Sequence, residues 1–132
     1  MKAKALPSSS HKGRHLRLAR WGETLALVWL WLKGYRLEAR NWRCTLGELD
    51  LVMRRRELLV FVEVKTRTSR QVGLPEEAVS LGKQAQLARV AKAYLSQRRG
   101  PAPPCRFDVV AVELSGFFPR LRHHRGAFVM KT

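Results

Sequence analysis

Two short apolar runs in the first half of the chain are each broken by a single carboxylate: Asp50 within Leu49–Met53 and Glu63 within Leu58–Val64. Val, Leu and Phe at this density over so few residues form strands, and the charged stretch Arg54–Glu57 between the runs makes a turn. Together they read as a β-hairpin. A carboxylate is depleted in such a setting, and half-burying it costs desolvation unless a cation or donor meets it. The chain holds only 10 Asp and Glu against 26 Lys and Arg, so two of the scarce acids in apolar strands need a reason.

Strand alternation puts Glu63 and Lys65 on one face. With Arg55 and Arg56 as the turn, Met53 faces Leu58 and Asp50 faces Phe61. Asp50 then becomes the diagonal neighbour of Glu63, at roughly 7–8 Å. Two carboxylates so placed can share a divalent cation, and oxygen-only ligands suit Mg²⁺ (or Mn²⁺). Phosphodiester hydrolysis needs such a cation, to neutralise the phosphate and to acidify water. Lys65 can orient the attacking water or stabilise charge that builds in the transition state. Taken alone, Glu63-Val64-Lys65 also fits a cross-strand salt bridge on a solvated face.

The rest of the chain frames this hairpin. Residues 1–15 carry Lys2, Lys4, Lys12, Arg14, three serines and no acid, and read as a flexible basic arm. Residues 16–132 form a single domain. A helix is predicted over Leu16–Leu32, with Trp21, Leu25, Val28, Trp29 and Leu32 as its apolar stripe and Gly34 ending it. A strand over 35–42, a loop over 67–75 and a helix over 76–98 follow; in the helix Val79, Leu87, Val90, Ala91, Tyr94 and Leu95 face the core. Residues 106–114 read as a fourth strand and Gly126–Lys131 as a fifth. The order α-β-β-β-α-β-β indicates an α/β protein, a sheet flanked by helices.

The formal net charge is +16. A field of that sign attracts polyanions. Nucleic acid is the expected partner, DNA ahead of RNA. Anionic lipid would need an amphipathic basic helix or a long apolar span, so no membrane partner is expected. A generally basic proteome is the bland account of the charge, and a homodimer is left open. Cys44 and Cys105 lie far apart without a metal-ligand spacing, which suits a reducing compartment. The apolar run Leu25–Leu32 lacks a signal-peptide cleavage site, so the cytoplasm is the default.

Asp50, twelve residues, then Glu63-Val64-Lys65 resembles the D…(D/E)xK signature of the restriction-endonuclease-like fold. More closely, the chain is similar to the bacterial YraN family, itself related to archaeal Holliday-junction resolvases. The matching stretches include Gly22-Glu23, Gly34-Tyr35, Asn41-x-Arg43, Gly47-Glu48-Leu49-Asp50-Leu51-Val52, Phe61-Val62-Glu63-Val64-Lys65-x-Arg67, Gly73-x-Pro75 with Lys83, and Arg106-Phe107-Asp108-Val109. They span roughly residues 18–113; the basic extension before residue 18 departs from the family pattern. The resemblance implies a mixed β-sheet flanked by α-helices and a Mg²⁺ site on Asp50 and Glu63. It also implies Lys65 as catalytic lysine, Glu23 from the first helix completing the acidic cluster, and an endonuclease acting on branched or otherwise structured DNA. The alternative is a non-catalytic nucleic-acid-binding or assembly protein that keeps the fold.

Other residues carry two readings each. Glu23 is either part of the site or a favourable charge in the first turn of its helix. Glu48 is either a neighbour of the site or a solvated strand end. Asp108 reads as structural, bound to Arg106 or a helix. Arg54, Arg55, Arg56, Arg67 and Arg70 are expected in loops beside the site, as phosphate contacts. Arg120, Arg122, Arg125 and the His123-His124 pair make a second basic cluster. Trp21 and Trp29, at helical spacing, read as core rather than as base-stacking rings.

Overall fold

β3 (Leu58–Arg67) and β4 (Cys105–Glu113) organise the molecule, as the two described strands with a parallel neighbour on one side and an antiparallel one on the other. The structure is a computed structural model that describes residues 9–68 and 79–129, without the side chains of 9–12 and 15. Around β3 are α1 (Ser9–Leu32), β1 (Arg36–Cys44), β2 (Gly47–Arg55), α2 (Leu81–Gln97), β4 (Cys105–Glu113) and β5 (Arg120–Phe128). The strands form one five-stranded mixed sheet in the order β1-β2-β3-β4-β5 among the described residues. β1–β2–β3 is a meander; the chain then crosses over through α2 to lay β4 parallel to β3, as a parallel pair requires. This is an α/β restriction-endonuclease-like architecture.

Each face of the sheet has its own core. Ala26 and Leu30 of α1 pack on Leu51, Met53, Val60, Val62, Val110 and Val112. Leu87, Val90, Ala91 and Tyr94 of α2 pack on Leu49, Val52, Leu59, Phe61 and Phe107. Each fully buried aliphatic side chain contributes about 1.5–3 kcal/mol.

The ends of the elements follow local chemistry. α1 stops where Gly34 turns left-handed (φ 98°). The Gly34 N–H donates to Trp31 O and the Tyr35 N–H to Leu30 O, both at 3.0 Å, while Tyr35 and Leu30 meet in the core. α2 begins after Ser80, whose Oγ accepts from the Lys83 N–H. That places its start five residues later than expected from the apolar stripe, and the expected helical residues 76–78 lie outside the described residues.

Other expectations are corrected. α1 starts at Ser9, ahead of the expected Leu16, so residues 9–15 are helical; residues 1–8 lie outside the described ones. β5 runs Arg120–Phe128, earlier than the expected Gly126–Lys131, because its pairing with β4 uses the basic cluster itself as strand. Trp21 is not core but 54% exposed. The buried face of α1 is Gly22, Glu23, Ala26 and Leu30, with the small Gly22 and Ala26 among them. A Cβ at Gly22 would stand 1.9 Å from Thr66 Oγ1, so the helix backbone lies almost on β3 there.

Candidate active site

The β2–β3 ladder runs from Arg55↔Leu58 to Leu51↔Val62 and stops. Beyond that rung β2 stays paired only with β1, down to Gly47, and β3 only with β4, out to Arg67. The sheet forks, and the next rung would have set Asp50 opposite Glu63. The turn is therefore Arg56-Glu57, with Arg56 left-handed at φ 57°. Against the expected register this is a slip of two residues. A slip of two preserves the face, so Asp50 and Glu63 still meet, as opposed rather than diagonal residues.

Instead of a backbone rung, the Asp50 carboxylate bridges the fork: its Oδ2 accepts from the Val64 N–H at 2.9 Å. A local break in alternation frees it to do so. Leu51 belongs to the core under α1, yet Leu49, two residues away, belongs to the core under α2. Across the β1–β2 ladder Asn41 lies between Arg40↔Leu51 and Trp42↔Leu49, and has φ 53°. Both strands change phase at this level.

Burial and the neighbouring Glu63 charge push the Asp50 carboxyl up to about 7, against the Val64 N–H, with Glu23 and Glu48 adding to the rise. Burial also raises Glu63, with Lys83 and Lys65 opposing and Glu23 adding. Two partly buried acids facing each other in this way raise each other's proton affinity, and Lys83 and Lys65 offset only part of the rise at Glu63. Lys65 follows Glu63 by two residues on the same face and is half-buried.

Glu23 comes in from α1. It is 9% exposed, and the length of the helix sets it mid-helix, so a first-turn role falls away. Its Oε1 is buried without a hydrogen bond and has Arg40 Nε at 3.7 Å. From the other layer α2 brings Lys83, whose Nζ is 3.8 Å from Glu63 Oε2. The Gln86 amide donates to Leu46 O at 3.2 Å and ties α2 to the β1–β2 turn. Arg43, Glu48, Asp50, Glu63, Lys83 and Gln86 line an open cleft of about 530 Å³ at the fork. Glu48 pairs with Arg43 at its rim (3.5 Å).

Sequence reasoning missed Arg40 and Gln86 here and had Arg43 and Lys83 only through the resemblance. The one local signal was Ser80, three residues before Lys83, which marks a helix start. The arginine triplet is placed elsewhere: Arg54, Arg55 and Arg56 sit at the closed end of the hairpin. Arg55 is five residues, about 16 Å along the strand, from Asp50. Arg55 stacks over the Tyr35 ring. Arg67 ends β3 on the face of Lys65. Arg70 lies outside the described residues.

Asp108 proves structural. Arg106 donates to both its oxygens (2.8 and 2.7 Å), Gly126 N–H donates to Oδ1, and His123 Nε2 lies 2.7 Å from Oδ2. Burial pushes its carboxyl up, but these donors outweigh it and hold it below the usual range. The role of His123, sandwiched between Asp108 and Lys33 Nζ (2.8 Å), had no sequence signal.

The residues that could hold a cation are Asp50 and Glu63, an all-carboxylate pair of the oxygen-donor kind that hard divalent cations take. Among the described residues no set of three or more His, Cys, Asp and Glu side chains is placed to hold a metal together. Nor is any described helix long and apolar enough to cross a membrane.

Comparison with known proteins identifies the family. Residues 22–112 match the model of "Uncharacterised protein family UPF0102". The chain belongs to this family. It is 44% identical over 115 residues to a UPF0102 protein of Syntrophotalea carbinolica, covering 87% of this chain and 94% of that one. A UPF0102 protein of Symbiobacterium thermophilum is 50% identical over 97 residues, 74% of this chain and 82% of its own. The family expected from the sequence is thus the family found. The matched UPF0102 span begins at Gly22 and contains Glu23, Asp50, Glu63, Lys65 and Lys83.

Proposed function

We propose that this UPF0102 chain is a cytoplasmic Mg²⁺- or Mn²⁺-dependent DNA endonuclease that hydrolyses phosphodiesters in branched or otherwise structured DNA. One observation carries the reading: two mutually repelling carboxylates, Asp50 and Glu63, face each other in an open cleft whose other walls carry Lys83 and Arg43, with Lys65 two residues beyond Glu63 on the same face of β3. Asp50 and Glu63 would hold the cation, which when bound supplies charge neutralisation at the phosphate and a more acidic water. Lys65 would orient the attacking water and meet the negative charge that builds in the transition state. Asp50, fixed by the Val64 N–H, keeps one oxygen turned to the cleft, and Glu23 stands behind the pair as a further acceptor. The +16 net charge supports a polyanionic substrate.

A non-catalytic nucleic-acid-binding module is the second reading. It is favoured by Lys83 and Arg40, which already stand beside Glu63 and Glu23 as cations. Incubation of the protein with linear, flapped and four-way DNA in Mg²⁺, Mn²⁺ or EDTA separates the two. Metal-dependent nicking is expected. If none of these DNAs, nor RNA of the same shapes, is cut with either metal, the binding module replaces the enzyme.

A further inference from the structure

The β4–β5 hairpin exposes two aromatic rings at its tip. Phe117 is 99% and Phe118 81% solvent-exposed, and their rings lie 6.1 Å apart. Rings this exposed bury almost no area in the fold, and a partner is the physical account of keeping them there.

The register shows where the tip stands. Lys65 is level with Ala111 on β4, which is level with Arg122 on β5. One row further out, Arg67, Glu113 and Arg120 align in the same way. Residues opposed across a ladder share a face. Lys65, Arg67, Arg120 and Arg122 therefore share the face on which Glu63 opens to the cleft. They form a basic strip broken only by Ala111 and Glu113, and it leads from the fork to the tip. At about 3.3 Å per residue and 4.8 Å per strand, the rings are within roughly 20 Å of Lys65. That is about six nucleotides at 3.4 Å per step.

We infer that Phe117 and Phe118 are a base-stacking tip for unpaired nucleotides adjoining a duplex, with the basic strip carrying the intervening phosphates. The inference rests on the proposed nucleic-acid reading of the cleft and names the feature that would select its substrate. Aromatic rings stack on any base, whereas paired bases in a duplex offer them no face. A lipid surface would also accept exposed rings, but four basic side chains aligned in rows toward a cleft match a phosphate backbone better.

The test measures affinity, in EDTA so that nothing is cut, for a fully paired duplex and for the same duplex carrying an unpaired flap. Wild type should prefer the flap. The Phe117→Ala/Phe118→Ala and Phe117→Leu/Phe118→Leu variants should lose roughly tenfold or more of that preference, with duplex affinity unchanged within about twofold. The Phe117→Tyr/Phe118→Tyr variant should keep it. If the alanine variant fails to fold, the leucine–tyrosine pair decides. Absence of a flap preference in wild type, or its retention in both the alanine and leucine variants, overturns the assignment. So does loss of binding to phosphatidylglycerol vesicles in place of loss of flap binding, which would make the tip a membrane contact. A protein that cuts nothing in Mg²⁺ yet shows this binding pattern loses the enzyme reading and keeps the stacking tip.

Discussion

Asp50 Oδ2 takes the Val64 N–H at 2.9 Å, one residue past Glu63, where β2 would otherwise have continued its ladder with β3. A side chain has replaced a backbone rung, and the strands part around it. The bond holds one carboxylate in place next to another that repels it, an arrangement that stability alone does not favour.

Asp50→Asn should therefore stabilise the metal-free protein at neutral and alkaline pH. Because the folded carboxyl titrates near 7, above its ordinary 3.8, its contribution is fully present below about pH 4 and lost as pH rises through about 7. A tenfold change in proton affinity corresponds to about 1.4 kcal/mol. Urea melts of wild type should weaken over about pH 4–8 by on the order of a few kcal/mol, and the variant should lose most of that slope. A parallel pH profile in both proteins would show that Asp50 is not strained. Mn²⁺ should raise the thermal midpoint of wild type at about pH 8 and leave Asp50→Asn unmoved.

Lys65→Ala should lower cleavage by about a hundredfold or more, while DNA affinity falls only by the single phosphate contact it adds to the strip and the thermal midpoint stays close to wild type. Lys65 is one of 26 basic residues, so its removal barely changes the binding field. A contact made only in the transition state lowers turnover without a matching loss of affinity. A salt-bridge role would instead cost at most about 1 kcal/mol of stability and spare activity. Equal cutting by the variant would move the active site elsewhere.

Asp108→Ala should be among the most damaging single changes while acting outside the Asp50–Glu63 pair. It leaves Arg106 without its counter-charge and His123 without its hydrogen-bond partner, for a loss of about 3–5 kcal/mol. The sign of the pH effect opposes that of Asp50. The Asp108 carboxyl is held low, so its stabilisation is present above about 3.8 and lost as pH falls through its folded value. Denaturant melts of the variant at about pH 7 check the first statement, and acid unfolding of wild type the second.

Binding to nucleic acid should fall steeply with salt, with log K losing about 0.9 per decade of salt for each phosphate neutralised on a duplex. The charged face described above supplies Lys65, Arg67, Arg120 and Arg122. A slope near zero between about 50 and 200 mM salt, measured by fluorescence anisotropy, would point to a protein partner.

Much of this was legible in the sequence for a specific reason: the chemistry sits in strands with a period of two. Glu63 and Lys65 had to share a face, and Asp50 fell on the same side for any even register. The stripe of α2 was equally readable, since Leu87, Val90, Ala91 and Tyr94 are large or apolar and are the buried ones. α1 misled because the close approach at Gly22 demands small residues inward and leaves Trp21 outside. The turn slipped because Arg56 takes a left-handed conformation that its side chain does not advertise. Lys83, Arg40 and His123 reach Glu63, Glu23 and Asp108 from other elements of the fold, across separations in sequence that no local pattern encodes.

The phase change in β2 has a mechanical consequence. Leu49 and Leu51 flank Asp50 and are anchored in different layers, one beneath α2 and the other beneath α1. The carboxylate is thus a pin through a hinge whose two leaves are the two cores. Trimming a methyl group from either leaf, at Val90 or at Val62, would tilt Asp50 against Glu63 without touching it.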